Sequence, residues 1–187
     1  MNPLQFFKEL SSQLFEKVPI INEENRIIGK TSRISSFLLR KPYRAVNIFI
    51  FKDKTKKELL LQKRQWWLRF PLKWGDCTGA VPSNRSYEEA AYKELQEEIF
   101  HNQPLPKIKL KKIAEFKDSS TKPYTWNQLF LAQYRGLFFP SPFEVKELLW
   151  MPVEKIQADL QNPKRTKKYT PAFKDAWKVF IKVVTKE

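Results

Sequence analysis

Three glutamates lie close together in one stretch of the chain, at Glu94, Glu97 and Glu98. Residues three and four apart share one face of a helix, so this spacing places the three carboxylates side by side if the stretch is helical. Like charges so placed repel one another. A hard divalent cation such as Mg²⁺ or Mn²⁺ removes that conflict, because it takes oxygen ligands and keeps waters for substrate phosphates. The same acidic string is also typical of a solvated helix face, so the spacing alone leaves both interpretations open.

A strand, a turn and a helix are predicted to position these glutamates. The strand covers residues 77–81 and is followed by a turn at Pro82, Ser83 and Asn84. A helix is then predicted from Ser86 to about Phe100. Ser86 is a good N-cap, and acidic residues in the first turn favour the positive helix end.

The segment from Gly79 to His101 resembles the Nudix box, G-x5-E-x7-R-E-U-x-E-E-x-G-U, where U is an aliphatic residue. Gly79 matches the first glycine, Glu94 the glutamate after the arginine position, and Glu97 with Glu98 the paired glutamates. The stretches NEENRIIGKTSR, YRAVNIFIF and YTWNQLFLAQY are similar to Nudix proteins related to isopentenyl-diphosphate isomerase. The resemblance runs from about Val18 to Phe180, and it implies an α/β (α+β) fold, the Nudix α/β/α sandwich with a mixed β-sheet.

Five positions depart from the family pattern. Arg85 stands where the box has its first glutamate and Lys93 where it has arginine, so the ion pair of these two family residues cannot form. Phe100 replaces the second glycine and His101 the final aliphatic residue. Phenylalanine adopts positive φ poorly, so the exit from the helix must differ locally. Gln128 stands on a strand where relatives often place an acidic residue.

The isomerase activity itself is excluded by the sequence. In the isomerases that this chain resembles, the site has a cysteine followed by metal-binding histidines, and His101 is the one histidine of this chain. Thr78 stands at the cysteine position, with Ala80 and Tyr43 at histidine positions. Cys77 is one residue out of register, so its side chain points to the other face of the strand.

The resemblance implies a metal-dependent pyrophosphohydrolase that cleaves a nucleoside diphosphate linked to another group. In that function Glu94, Glu97 and Glu98 are catalytic and hold Mg²⁺ or Mn²⁺, with Glu144 as a candidate distal carboxylate. Gly79 lets the backbone approach the metal or phosphate. The base is one of the box glutamates or Glu144, and the sequence does not choose between them.

Three cations are candidates to neutralise the substrate polyphosphate: Arg44, Lys63 and Arg64. Their alternative role is that of ordinary charged strand ends. The aromatic loop QWWLRFPLKWGD carries tryptophans that either stack on a nucleobase or pack within the loop.

A second hypothesis is a catalytically impaired Nudix-fold protein that binds nucleotide, RNA or a protein partner. The chain carries 35 Lys and Arg against 20 Asp and Glu, a formal charge of +15, which favours polyanionic partners such as RNA. Lys107, Lys109 and Lys111 alternate with apolar residues in KIKLKK. They either bind phosphates or keep an edge strand from pairing with another molecule.

One domain is predicted over residues 1–187, with an N-terminal helix within 1–17, a Nudix core over 43–160 and a C-terminal helix over 170–184. Predicted strands cover 18–21, 26–30, 44–52, 58–63, 108–117, 124–135 and 148–151. The two terminal helices are predicted over 3–15 and 171–184, and one further helix over 153–160. One cysteine fits a reducing compartment, and no apolar run is long enough to cross a bilayer. The first residues do not resemble a signal peptide. We therefore expect a cytoplasmic protein with no membrane partner.

Overall fold

The computed structural model describes residues 2–101 and 103–185. Its strands are β1 (Lys17–Ile21), β2 (Ile27–Ser32), β3 (Tyr43–Phe51), β4 (Glu58–Arg64), β5 (Trp74–Gly75), β6 (Cys77–Ala80), β7 (Lys111–Asp118), β8 (Thr125–Gln133) and β9 (Val145–Pro152). Its helices are α1 (Pro3–Phe15), α2 (Arg33–Leu38), α3 (Tyr87–Glu94), α4 (Val153–Gln161) and α5 (Pro171–Val184). No helix in these two described ranges is long and apolar enough to cross a membrane.

Strands β3 to β9 form one mixed sheet, and β1 with β2 forms a separate antiparallel pair. β3 runs parallel to β8, and β8 pairs antiparallel with the outer strand β7. β3 and β4 form the predicted hairpin at its closed end, where Phe51 pairs with Leu59 and Lys52 N donates to Glu58 O at 3.1 Å, and the two strands then diverge. β6 pairs antiparallel with the first half of β3 instead, and β9 pairs antiparallel with β4.

The sheet has an apolar layer on each face. Alternate residues of a strand point to opposite faces, and in β3 the side chains of Val46 and Ile48 belong to the core cluster that contains Leu95. Phe49 and Phe51 belong to the other cluster, with the aromatic residues of α5. Helices therefore cover both faces of a mixed sheet, which confirms the predicted α/β fold class.

Several elements differ from the sequence prediction: β5 lies in the predicted aromatic loop, and β9 begins at Val145, not at residue 148. β7 begins at Lys111, not at residue 108, because Ile108 N donates to Pro106 O at 2.7 Å and closes a turn before the strand. α2 was not predicted: it has six residues and is capped by Ser32, whose side chain accepts from Ser35 N.

A buried carboxyl group, Asp76, lies between β5 and β6. It is 1% exposed, and Asn47 Nδ2 donates to Asp76 Oδ2 at 2.8 Å. Burial raises the pKa of Asp76 to about 7, although the hydrogen bond from Asn47 opposes this shift. The folded state therefore favours the protonated form.

The pH dependence of stability should reveal this group. Because the pKa of Asp76 is higher in the folded chain than its ordinary value of 3.8, its stabilising contribution is complete below pH 3.8 and is lost as pH rises through about 7. We expect Asp76→Asn to remove up to roughly 4 kcal/mol of that pH-dependent loss. The measurement is the free energy of unfolding of the wild type and of Asp76→Asn, obtained by calorimetry at a series of pH values from below 3.8 to above 7. Parallel curves for the two proteins would contradict the assignment.

Candidate active site

The helix that carries the glutamates begins as the sequence predicts. β6 leads through a turn to Ser86, whose side chain accepts from Glu89 N, while Glu89 Oε2 accepts from Ser86 N at 2.7 Å. This reciprocal pair is a capping box, and it satisfies two backbone N–H groups at the start of α3. The capping box fixes the residue at which α3 starts, and therefore the direction in which the Glu94 side chain points at the end of the helix.

The exit from α3 differs from a regular helix. After Glu94 the chain forms a π-helical turn over Leu95–Ile99, in which Phe100 N donates to Leu95 O at 2.9 Å. Phe100 has φ of −121° and its ring is buried. The wide turn thus accommodates phenylalanine at the second glycine position of the box without positive φ. Turns of this kind are frequent at functional sites.

Glu94 lies directly against the backbone of Gly79. A Cβ added to Gly79 would overlap all three atoms of the Glu94 carboxyl group. Glu94 is 6% exposed. Burial raises the pKa of Glu94 to about 8, and the negative charge of Glu144 adds to this shift. Glycine at position 79 is therefore a steric requirement for this placement of the carboxylate.

Glu98 is the more deeply buried of the two, at 1% exposed. Gln62 Nε2, from β4, donates to Glu98 Oε2 at 2.8 Å, and Thr78 N approaches the same oxygen at 3.4 Å. Burial raises the pKa of Glu98 well above its usual range, and the charges of Glu144 and Glu94 act in the same direction. Glu144 is thus close enough to Glu94 and Glu98 to oppose the ionisation of both.

Glu97 does not join this buried pair. Its side chain is 49% exposed and accepts from Lys93 Nζ at 2.6 Å. Lys93 also lies 3.1 Å from Glu16 Oε1, at the end of α1. Lys93, which replaces the arginine of the Nudix box, therefore pairs with Glu97 and Glu16. Of the three glutamates predicted on one helix face, Glu94 and Glu98 are buried and Glu97 lies at the rim.

Glu94, Glu97 and Glu144 line one hollow, which we call the carboxylate cleft. Its volume is about 530 Å³. Gln13 Nε2, from α1, donates to Glu144 Oε1 at 2.6 Å. The other lining residues are Glu9, Ser12, Glu16, Arg33, Thr78, Lys93, Gln96, His101 and Ser141.

A second hollow, the arginine pocket, continues from the first. It has a volume of about 320 Å³ and shares Gln13, Arg33, Thr78 and Glu144 with the carboxylate cleft. Its further lining residues are Leu10, Leu14, Ile34, Phe37, Tyr43, Arg64, Trp67, Leu68, Arg69 and Glu98. Guanidinium groups, carboxylates and an apolar wall therefore face one continuous space.

Sequence reasoning missed Arg33, which is the first residue of α2 and lines both hollows. Burial opposes its charge, but the hydroxyl of Tyr43 and the carboxylates of Glu94, Glu144 and Glu16 together outweigh burial and raise the pKa of Arg33. A lone arginine gives no signal in a sequence. The one local signal was Ser32, which is a typical N-cap before a short amphipathic stretch.

Arg64, a predicted substrate contact, lines the arginine pocket. Its Nε donates to Arg69 O at 2.8 Å, which links β4 to the loop that follows it. Arg69 was not singled out from the sequence, and it lines the same pocket with its guanidinium carbon 5.1 Å from the centroid of the Phe37 ring.

Two other predicted substrate contacts lie elsewhere. Arg44 Nε donates to Asn25 Oδ1 at 2.9 Å, and the guanidinium lies over the Tyr87 ring at 5.4 Å from its centroid. Lys63 Nζ lies 5.4 Å from the centroid of the Trp74 ring. Neither Arg44 nor Lys63 lines the carboxylate cleft or the arginine pocket.

Cys77 and Thr78 are neighbours in β6, and only Thr78 lines the two hollows. Cys77 is buried in the core, and burial raises the pKa of its thiol well above the ordinary value. Thr78, at the adjacent position, lines both hollows. The thiol therefore does not face the space where a substrate would bind.

The chain is similar to known proteins in sequence and in fold. The family model described as NUDIX domain matches residues 41–173. The chain belongs to the Nudix family. An uncharacterized Nudix hydrolase of Yersinia pestis is 29% identical to this Nudix protein over 147 residues, 78% of either chain. Gln13, Glu16 and Arg33 precede the matched segment, so part of the cleft wall comes from outside the region that the family model describes.

Solved structures show the same fold. The crystal structure of DR0079 from Deinococcus radiodurans has a TM-score of 0.66 and 22% identity, and it covers 78% of this chain and 89% of that one. The MutT protein of Methanosarcina mazei Go1 has a TM-score of 0.59 and 21% identity, with 75% and 94% covered. At these identities the likeness concerns the fold alone.

Proposed function

We propose that this Nudix hydrolase cleaves the diphosphate bond of a nucleoside diphosphate linked to another group, with the help of a divalent cation. The observation that supports it is the convergence of Glu94, Glu98 and Glu144 with Arg33 and Arg64 on one continuous space. Carboxylates of this kind bind hard cations, and guanidinium groups bind phosphate oxygens. A diphosphate needs both, because the two phosphates carry several negative charges.

The chemistry of the carboxylates fits a divalent cation such as Mg²⁺ or Mn²⁺. In the described residues no three His, Cys, Asp or Glu side chains are gathered at metal-binding separation. Glu94 and Glu98 nevertheless have raised pKa values, partly because Glu144 repels both. A bound cation removes this repulsion and, when present, polarises the phosphate and the attacking water. Glu97 would become a ligand of the cation only if its ion pair with Lys93 were broken.

The chain's own residues supply the remaining steps. Arg33, Arg64 and Arg69 bind and orient the phosphate groups, since a planar guanidinium matches phosphate oxygens with two parallel hydrogen bonds. Glu144 is less buried than Glu98, and its negative charge raises the pKa of Glu98. We assign to Glu144 the proton released by the attacking water.

The apolar wall of the arginine pocket accommodates the group attached to the diphosphate. Leu10 and Leu14 come from α1, Ile34 and Phe37 from α2, and Trp67 from the loop after β4. The indole N–H of Trp67 donates to Phe143 O at 3.0 Å, which fixes the ring against the pocket. A flat base or another compact apolar group would lie along this wall.

The test is a screen of nucleoside diphosphate-linked compounds with Mg²⁺ or Mn²⁺ added, in which the phosphate-containing products are identified. The proposal expects at least one compound to be split into two phosphate-containing products. Binding of nucleotide or RNA to the purified chain without any hydrolysis would favour the catalytically impaired binding protein instead.

Arg33 gives a sharper prediction within this proposal. We expect Arg33→Gln to raise KM about tenfold or more, because a charge-assisted contact to phosphate contributes roughly 1.5–3 kcal/mol. The matched control is Arg44→Gln, since Arg44 is held by Asn25 away from both hollows. The measurement is KM of each variant and of the wild type by steady-state kinetics. Equal effects on KM would contradict the assignment of Arg33 to the substrate.

A further inference from the structure

Four lysines surround a separate hollow, which we call the lysine pocket. Lys56 lies in the turn between β3 and β4, Lys107 and Lys109 precede β7, and Lys111 is its first residue. The pocket has a volume of about 510 Å³, within the range of small-molecule sites. Phe51, the last residue of β3, also lines the pocket.

The lysine pocket lies far from the carboxylate cleft. Gly79, which contacts Glu94, pairs with Val46 of β3, while the lysine pocket is at Phe51. Five residues of a strand span about 17 Å. None of the residues that line the lysine pocket lines either of the other two hollows.

The lysines of this pocket have no acidic counterpart among its lining residues. Neither Asp nor Glu lines it, and in the described ranges no ion pair involves Lys56, Lys107, Lys109 or Lys111. Elsewhere on this surface lysines do pair, as Lys52 does with Glu58 at 2.6 Å. Four ammonium groups around one hollow repel one another, and an anion bound between them removes that repulsion.

Edge protection explains only part of this cluster. β7 is the outer strand of the sheet, so Lys111 is in a position to keep that edge from pairing. Lys107 and Lys109 lie before the strand begins and have no place in its hydrogen-bond ladder. Their position on the pocket wall therefore needs another reason.

The floor of the lysine pocket is apolar. Ile113 and Leu131 come from β7 and β8, and Val183 and Val184 from the end of α5, and all four are half-buried. A free phosphate would leave this surface in contact with water. A phosphate attached to a compact apolar group would cover the surface and satisfy the lysines at once.

We propose that the lysine pocket binds a phosphate ester that carries a compact apolar group, at a site independent of the carboxylate cleft. The phosphate lies among Lys56, Lys107, Lys109 and Lys111, and the apolar group covers Ile113, Leu131 and the two valines. This binding does not depend on the hydrolase activity proposed above.

Hexyl phosphate, inorganic phosphate and hexanol are the probes, and the full chain is titrated with each by calorimetry. The test variant is Lys107→Gln/Lys109→Gln/Lys111→Gln. The control is Lys30→Gln/Lys146→Gln/Lys164→Gln, which removes the same charge from three exposed lysines that line no hollow described above. Arg33→Gln serves as a second control, because it weakens phosphate binding in the arginine pocket only.

Hexyl phosphate should bind the lysine pocket of the test variant at least about tenfold more weakly than that of the wild type. The triple control should bind it as the wild type does, and Arg33→Gln should keep the lysine-pocket binding and lose at most a second binding event in the arginine pocket. Inorganic phosphate and hexanol should each bind the wild type about tenfold more weakly than hexyl phosphate, since the first leaves the floor exposed and the second leaves the lysines without an anion. Equal affinity of test and control triple variants overturns the proposal. So does loss of all binding in Arg33→Gln, or equal affinity for the two phosphates.

Discussion

Glu98→Gln is expected to lower kcat for diphosphate hydrolysis by about 10³-fold or more while raising the melting temperature of the chain. The activity falls because a neutral amide has no negative charge to attract a cation. Carboxylates that hold a metal or act as acid or base each contribute roughly 10²–10⁴-fold to the reaction rate. The amide oxygen introduced at position 98 can still accept the hydrogen bond from Gln62, so the fold around it is preserved.

The expected rise in stability follows from the pKa of Glu98. Because burial and the charges of Glu144 and Glu94 raise that pKa, folding at neutral pH costs free energy, since Glu98 must either take up a proton or be buried with its charge. A neutral amide of the same shape removes this cost. We expect the melting temperature to rise by about 5 °C in metal-free buffer, measured by calorimetry. A purely structural glutamate would show the opposite sign.

Glu88→Gln is the matched control for this variant. Glu88 is an exposed carboxylate on α3, the helix that leads to Glu98, and it lines neither the cleft nor the arginine pocket. Its substitution should leave both kcat and the melting temperature within error of the wild type. Full activity in Glu98→Gln would contradict the proposed role of this carboxylate.

Gly79→Ala is expected to disable the site through one methyl group. The new Cβ would overlap the carboxyl group of Glu94, and both residues are too enclosed for a small adjustment. Glu94 must then move away, which we expect to lower kcat by about 10²-fold or more and to destabilise the fold by roughly 1–3 kcal/mol. Kinetics and denaturant unfolding measure the two effects.

Gly29→Ala is the control for the backbone effect of this change. An added Cβ at Gly29 would meet Ile20 Cδ1 at 3.7 Å, an ordinary van der Waals distance. This variant should retain activity and unfold as the wild type does. If Gly79→Ala also behaved like the wild type, the close approach of Glu94 to Gly79 would be wrong.

Local patterns in the sequence were enough to predict most elements of the fold. The helical spacing of apolar residues placed α1 and α5 at their observed bounds, and alternation placed β3 within one residue. The divergence of β3 and β4 was not predictable, because it depends on β6 and β9, which pair from distant parts of the chain. Pairing of this kind has no local signal.

The site was predicted in part for the same physical reason. The sequence predicts that Gly79, Glu94 and Glu98 lie together because their spacing falls within one strand–turn–helix unit. The position of Glu97 was not predictable, since it depends on the π-helical turn and on Lys93. Arg33 reaches the cleft from a helix outside the matched family segment, so only the tertiary structure places it beside the carboxylates.

Hydrolysis in ¹⁸O-labelled water tests the central claim most directly. A substrate from the screen is incubated with the wild type and Mg²⁺, and with Glu98→Gln as the blank, and the products are weighed by mass spectrometry. We expect two phosphate-containing products, one of which carries a single ¹⁸O on its phosphate, and no labelled product above background in the blank. Equal labelling in both proteins, or a label on carbon with the diphosphate intact, would contradict it.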